Sequence, residues 1–114
     1  MSITQGAEWQ FMYDNHVQLP YSEWLGYTQV WNDAMGELLE QARADGVLAG
    51  YVIESHNTGG APFNWKILFL FPDWNSIQEL QARMLGAVPM DHPMWANWLS
   101  HKDELWERLP PAGN

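Results

Sequence analysis

The alternation of apolar and polar side chains predicts that the chain begins with a strand and continues into a long helix. Residues 8–19 alternate, and one side of this run carries Trp9, Phe11, Tyr13, Asn15 and Val17. A period of two is typical of a half-buried strand, and Pro20 ends it because proline has no backbone N–H for a sheet. From Ser22, placed as an N-cap, to about Asp45, apolar residues recur every three or four positions, as on one face of a helix. Gly46 follows as a C-terminal cap, since glycine adopts the left-handed conformation without strain.

Two runs rich in β-branched and aromatic residues, 47–56 and 63–71, predict a β-hairpin in the middle of the chain. The Gly59–Gly60 pair lies between them, and both glycines can take the positive φ angles that tight hairpin turns require. Asp73 is then placed to cap a second helix that ends near Gly86. The apolar stripe of this helix consists of Trp74, Ile77, Leu80 and Met84.

The C-terminal third leaves one element open. A helical segment is expected to begin at His92–Pro93, and the pattern of residues 104–109 fits both a helix and a fourth strand. The order is therefore βαββα, followed by a segment that ends as a helix or a strand. This is the order of a ferredoxin-like α+β unit, an antiparallel sheet with both helices on one face. We expect a single domain at residues 8–109, with flexible ends at residues 1–7 and 110–114.

The hairpin turn decides which side chains share a face of the sheet. A two-residue turn at Gly59–Gly60 pairs Glu54 with Trp65, and His56 with Phe63. We expect this face to line a ligand cavity. The opposite face, which is suited to receiving helices, carries Ala49, Tyr51, Ile53, Ser55, Asn64, Lys66, Leu68 and Leu70. A shift of one residue at the turn would exchange the two faces of one strand.

The charge balance narrows the class of partner. The formal net charge is −9 with only five Lys and Arg residues, so the chain lacks the cationic patch that nucleic acids or an anionic membrane surface require. It contains no Cys, which excludes disulfides and thiolate chemistry. No signal peptide and no run of about 20 apolar residues is present, so we expect a cytoplasmic protein. The eight Trp residues serve either core and interface packing or a pocket that stacks on a flat apolar ligand.

The element order over residues 8–109 resembles that of the dimeric α+β barrel superfamily, in which two ferredoxin-like subunits pack their open sheet faces together. The stretch His92-Pro-Met-Trp95 resembles the His-Pro-x-His stretch of the stress-responsive barrel proteins and their polyketide-cyclase relatives, with a tryptophan replacing the second histidine. Asn15 and Trp65 lie in elements comparable to those that carry an asparagine and a tryptophan in small cofactor-free monooxygenases. The histidine that ligates haem in haem-degrading relatives is missing from residues 74–85. The resemblance implies a homodimer that binds a small organic ligand without a cofactor.

If the chain is an enzyme, His56 is the first candidate for its base. Glu54 would orient the imidazole, while Trp65 and Phe63 would contact a stacked substrate. His92 is a further catalytic candidate through its resemblance to the cyclase stretch, and the same position suits a helix cap. The alternative for Glu54 and His56 is a solvated strand end without a chemical role.

Tyr13, Asn15 and His16 on the first strand are further candidates for contacts with a ligand. We expect this strand to run parallel to the second hairpin strand, which puts His16 far from His56. His16 is then either an acid or base at the barrel mouth or a surface residue hydrogen-bonded to Asp14. No metal is predicted, because histidines and carboxylates form only two-ligand fragments such as Asp14-x-His16.

Two functions of different classes are compatible with these features. The first is a small-molecule-binding dimeric barrel that acts as a cofactor-independent enzyme. It would transfer a proton on a small aromatic or apolar substrate, as a cyclase, an isomerase or a monooxygenase does. The second is a non-catalytic ligand-binding or structural homodimer, whose aromatic residues serve the core and the interface.

Overall fold

The computed structural model describes residues 8–55 and 62–109. Its elements, in chain order, are β1 (Phe11–Gln18), α1 (Tyr21–Ala44), β2 (Gly50–Ser55), β3 (Trp65–Phe71), α2 (Trp74–Ala87), α3 (Pro93–Ala96) and β4 (Ser100–Glu107). The chain thus has the ferredoxin-like βαββαβ fold. The two ends predicted to be flexible lie outside the described residues, as do the Gly59–Gly60 turn and His56. Among the described residues, no helix combines the length and the apolar character needed to cross a membrane.

The C-terminal segment that the pattern left open is a strand. β4 pairs with β1 along its whole length, from Gln18 opposite Ser100 to Phe11 opposite Glu107. The helical segment predicted to begin at His92–Pro93 is a single turn, α3, which ends at Ala96. β4 is an edge strand with only two large apolar residues, Leu105 and Trp106. Neither of its faces is apolar throughout, so it lacks the alternation that would identify it.

The four strands form one antiparallel sheet in the order β2-β3-β1-β4. The expectation that β1 runs parallel to β3 is wrong, because β1 and β3 are antiparallel and His16 lies opposite Lys66. The topology explains the difference. The crossover through α1 makes β2 parallel to β1, and the following hairpin reverses the direction for β3.

The ends of α1 follow from single residues. The helix begins at Tyr21 with Pro20 at the N-cap, so Ser22 lies in the first turn and does not cap it. Proline suits the start of a helix because its missing N–H has no partner there. After the helix, Gly46 has a φ of 78°, as expected for a glycine that follows a helix C-terminus.

The core lies between α1 and the sheet. The buried stripe of α1 consists of Tyr27, Trp31, Met35, Leu39 and Ala42. Trp65 of β3 packs against this stripe, with its ring 4.8 Å from the ring of Tyr27 and 5.9 Å from that of Trp31. Its indole N–H donates a hydrogen bond to the hydroxyl of Thr28 at 3.0 Å. Several of the tryptophans are therefore structural.

Candidate functional site

Strand register defines the two faces of the sheet, since paired residues in neighbouring strands point to the same side. Trp65 contacts α1, so its side of the sheet is the helix-covered face. The other side, called the open face below, carries Met12, Asp14, His16, Gly50, Val52, Glu54, Lys66, Leu68, Leu70, Lys102, Glu104 and Trp106. No helix of the described residues covers it.

The predicted pairing of Glu54 with Trp65 is wrong. Ser55 lies opposite Trp65, and Glu54 lies opposite Lys66, one residue away from the expected register. A shift of one residue moves every side chain of a strand to the other face. Glu54 is consequently on the open face, where its Oε1 lies 3.3 Å from Nζ of Lys66. The base that it was expected to orient, His56, lies outside the described residues.

Three residues predicted to contact a ligand do not line the cavity described below. Trp65 is 1% exposed within the core. The face predicted to line a ligand cavity is the helix-covered face, and Phe69 of this face lines the cavity described below. His16 lies on the open face, with Nε2 3.9 Å from Oε1 of Glu104. The ring of Phe63 lies 6.1 Å from the ring of His16.

His92 caps α3. Its Nδ1 accepts a hydrogen bond from the backbone N–H of Met94 at 3.0 Å. This is the helix-capping role that the sequence also allowed for this histidine. The following Pro93 occupies the first helical position, where it needs no hydrogen-bond partner.

A cavity of about 200 Å³ lies between the helix-covered face and the helices α2 and α3. Its apolar lining consists of Phe69, Phe71, Ile77, Leu80, Met84, Leu85, Trp95 and Trp98. Its polar lining consists of Tyr13, Asn15, Gln81 and Asp103. Most small-molecule sites share this composition, an apolar pocket with a few convergent polar groups. Two of the residues predicted from the sequence, Tyr13 and Asn15, thus line it.

Three of the polar residues meet around one carboxylate, and we call Tyr13, Asn15 and Asp103 the Asp103 corner. The Tyr13 hydroxyl donates a hydrogen bond to Oδ2 of Asp103 at 2.9 Å, and the Asn15 side-chain amide donates one to Oδ1. They meet because Asn15 of β1 lies directly opposite Asp103 of β4. His101, two residues earlier on the same face, has its Nδ1 3.4 Å from Oδ1 of Asp103. The Asp103 carboxylate therefore lines the cavity and also contacts the imidazole of His101.

The aromatic wall beside the corner is held by hydrogen bonds. The indole N–H of Trp98 donates to the hydroxyl oxygen of Tyr27 at 2.6 Å, and the Tyr27 hydroxyl donates to the carbonyl of Met94. The indole N–H of Trp95 donates to the carbonyl of Val88 at 3.3 Å. The rings of Trp95 and Trp98 meet edge to face, 5.5 Å apart. Both rings are consequently fixed in position before a ligand binds.

The environment of Tyr13 keeps its phenol protonated. Burial, together with the hydrogen bond to Asp103 and its negative charge, raises the pKa of Tyr13 from 10.0 to about 12. The neutral phenol is the form that can donate to the carboxylate. At neutral pH Tyr13 therefore acts as a fixed hydrogen-bond donor to Asp103.

This shift predicts how a Tyr13→Phe variant behaves in alkali. The folded pKa of about 12 lies above the unfolded value of 10.0, so the stabilisation is complete below pH 10 and is lost as the pH rises to 12. We expect the free energy of unfolding to fall more steeply over this interval in the wild type than in the variant. A titration of tyrosinate absorbance should lose a late-ionising group in Tyr13→Phe and keep it in Tyr21→Phe, a control on an exposed ring. If the wild type and both variants show the same absorbance change above pH 10, the raised pKa does not belong to Tyr13.

Sequence reasoning missed Asp103, His101, Trp95 and Trp98 as parts of one site. The alternation of residues in β4 could have identified Asp103 and His101, but only if β4 had been recognised as a strand and aligned with β1. Once Asn15 is set opposite Asp103, alternation puts His101 and Asp103 on one face with Tyr13. Within residues 8–55 and 62–109, no group of three or more potential ligands could hold a metal ion.

Comparison with known proteins identifies the fold. No protein family model matches the sequence, and no curated protein matches it. A solved dimeric ferredoxin-like protein from an uncultured marine organism is similar, with a TM-score of 0.76 and 10% identity, over 91% of each chain. A variant of SnoaB, a cofactor-independent oxygenase from Streptomyces nogalater, is similar with a TM-score of 0.64 and 10% identity, over 94% of this chain and 100% of that one. A protein of unknown function from Bacteroides thetaiotaomicron, described as a possible oxidoreductase, is similar with a TM-score of 0.65 and 12% identity. The match covers 90% of this chain and 100% of that one. The chain therefore has the ferredoxin-like fold of these solved structures.

Proposed function

We propose that this chain, with the fold of the dimeric α+β barrel proteins, forms a homodimer in which each subunit binds a small, flat, largely apolar molecule. The cavity at the Asp103 corner is the observation that carries this proposal. An engineered apolar cavity of about 150 Å³ binds benzene, so a cavity of about 200 Å³ suits one aromatic ring with a short substituent. Its aromatic wall favours a planar ligand.

The open face supports the dimer. One row across it is apolar, formed by Gly50, Leu70, Met12 and Trp106. Gly50 and Leu70 are already buried in the single chain, and the surface that a partner would cover belongs mainly to Trp106, which is 54% exposed. At the other end of the face, charged side chains pair with one another. Lys66 lies 3.3 Å from Glu54, and Lys102 lies 3.3 Å from Glu104. An apolar row beside internally compensated charges is a surface that a second copy can cover at low desolvation cost.

The Asp103 corner supports proton transfer without a cofactor. Its carboxylate faces the cavity on one side and the imidazole of His101 on the other. A proton taken from the ligand by Asp103 can pass to Nδ1 of His101, and the imidazolium then loses a proton from Nε2 to water. The side chain of His101 is 53% exposed, which gives this last step access to solvent. SnoaB, which has a similar fold, is a cofactor-independent oxygenase.

A cavity-filling variant tests where the ligand binds. Met84→Trp places a large ring inside the cavity, while Gln78→Trp adds the same side chain to an exposed position of α2. We expect Met84→Trp to weaken the binding of one-ring aromatics, measured by calorimetry, by about 10-fold or more, because the ligand and the new ring need the same space. Gln78→Trp should bind as the wild type does. Equal affinities in both variants would place the ligand elsewhere.

Turnover separates the two classes of function. If bound ligands are converted and Asp103→Asn abolishes conversion, the enzyme version is supported. If ligands bind in the cavity but no product forms under any condition, the chain is a non-catalytic binding module. Three side chains, those of Tyr13, Asn15 and His101, contact Asp103. They favour the catalytic function, since the binding of a purely apolar ligand would need none of these polar groups.

A further inference from the structure

We propose that the ligand of this cavity is a cationic aromatic amine, whose ammonium group binds at the Asp103 corner while its ring fills the apolar part. The inference rests on the proposed ligand-binding function of the cavity and adds the chemical class of the ligand. It follows from three independent features: the hydrogen-bonding capacity of the corner, the absence of a lysine or arginine counter-ion, and the aromatic wall.

The unused hydrogen-bonding capacity of the Asp103 corner is mostly that of an acceptor. The Tyr13 hydroxyl and one N–H of the Asn15 amide already donate to Asp103. The atoms left over include lone pairs on the Asp103 carboxylate, the Tyr13 hydroxyl oxygen and the Asn15 carbonyl oxygen. An ammonium group carries three donors and no acceptor, so it matches these three oxygens. A carboxylate or phosphate on the ligand would face acceptors and a like charge.

The Asp103 carboxylate has no lysine or arginine as a counter-ion. The chain contains five such residues in all, and all five lie in the described residues, where each has another partner. Arg43 pairs with Glu40, Lys66 with Glu54, Arg83 with Asp45 and Glu79, Lys102 with Glu104, and Arg108 stacks on Trp9. Among the described residues, the imidazole of His101 is the one group within 4 Å of the Asp103 carboxylate that can become positively charged, and it is charged only if protonated. The Asp103 side chain is 33% exposed and accepts hydrogen bonds from Tyr13 and Asn15, and a ligand ammonium would add the missing positive charge.

The aromatic wall adds a second attraction for a cation. Trp95 and Trp98 both line the cavity together with Asp103. The electron-rich faces of indole rings attract an ammonium group within about 6 Å, and the gain is about 0.5 to 2 kcal/mol in partly desolvated sites. The net charge of −9 also raises the local concentration of cations and lowers that of anions. All three features favour the same ligand class.

Four ligands of nearly equal shape test this inference. They are 2-phenylethylamine, the neutral donor 2-phenylethanol, the apolar isostere propylbenzene and the anion 3-phenylpropionate. At about pH 8, above the usual titration range of histidine, we expect calorimetry to show that the amine binds about 10- to 100-fold more tightly than the alcohol. The isostere should bind more weakly than the amine, and the anion should show no binding.

Removal of the carboxylate provides the matched variant. Asp103→Asn should lower the affinity for the amine to about that of the alcohol and change the affinity for the alcohol little. Glu37→Gln alters the net charge of the protein equally at an exposed position of α1 and should change neither. Circular dichroism and retained binding of the alcohol would show that Asp103→Asn is folded. The comparison of the four ligands uses the wild-type protein, so it does not depend on this variant.

The outcomes separate the inference from the function on which it rests. Equal binding of the amine and the alcohol, unaffected by Asp103→Asn but weakened by Met84→Trp, would overturn the ammonium site and leave the cavity as a neutral-ligand site. Tighter binding of the alcohol than of the amine would identify a neutral donor as the ligand class and would also overturn it. Failure of all four ligands to bind would contradict the ligand-binding function itself.

Discussion

Replacing Trp65 with alanine is expected to lower the free energy of unfolding by about 3 to 5 kcal/mol, the range for large aromatic side chains removed from a core. The ring is 1% exposed and packs edge to face on Tyr27. Its removal also leaves the Thr28 hydroxyl without the indole donor, which adds the cost of a buried polar group without its hydrogen bond. Chemical denaturation of the variant and the wild type, compared through their midpoints at equal slope, measures the difference.

Trp74→Ala is the control for this prediction. Trp74 is 54% exposed at the start of α2 and makes one edge-to-face contact, 5.5 Å from the ring of Phe11. A single aromatic pair at a half-exposed position contributes about 0.5 to 1.5 kcal/mol, so its loss should cost much less than that of Trp65. Equal losses in the two variants would show that Trp65 does not anchor the core.

The helices and the order of the elements could be predicted because they depend on patterns that span many residues. The apolar stripe of α1 recurs over six turns, so an error at its first residue, such as Ser22 in place of Pro20 as the cap, leaves the helix unchanged. The single-turn α3 and the edge strand β4 have no such redundancy. Their boundaries follow from pairing with β1 and from the cap at His92, which become visible only in the folded chain.

The faces of the hairpin could not be predicted for a different reason. Whether Glu54 or Ser55 lies opposite Trp65 depends on one residue at the turn, and side-chain composition does not decide it. Both faces of β3 are apolar at most positions, so burial gives no preference between the two registers. The predicted pair of Glu54 with Trp65 failed at this step.

Only part of the candidate site could be predicted from the sequence. Asn15 could be chosen because it resembles the first-strand asparagine of small cofactor-free monooxygenases, and Tyr13 because its hydroxyl can donate a hydrogen bond from the same strand. Asp103 could not, since it follows a lysine and precedes a glutamate in a segment that reads as a solvated helix. Only the pairing of β4 with β1 turns this ordinary acidic residue into the centre of a hydrogen-bonded cluster.

Replacing Trp106 with glutamate is expected to convert the proposed homodimer largely into monomer, with a rise in the dimer dissociation constant of about 30-fold or more. Trp106 lies in the apolar row of the open face, opposite Met12, and is 54% exposed in the single chain. Tryptophan side chains at the centre of an interface often contribute 2 kcal/mol or more, and an acidic replacement adds the cost of burying an unpaired charge. Sedimentation equilibrium over a range of protein concentrations measures the constant.

Leu25→Glu is the matched control, because it makes the same type of change at an 83% exposed position of α1, away from the open face. We expect it to remain dimeric. A Trp106→Glu variant that stays dimeric would show that the subunits associate through another surface. The cavity is lined by residues of one subunit on the opposite side of the sheet, so the monomeric variant should still bind the ligand. Loss of binding together with the dimer would instead mean that the second subunit holds the helices of the cavity in place.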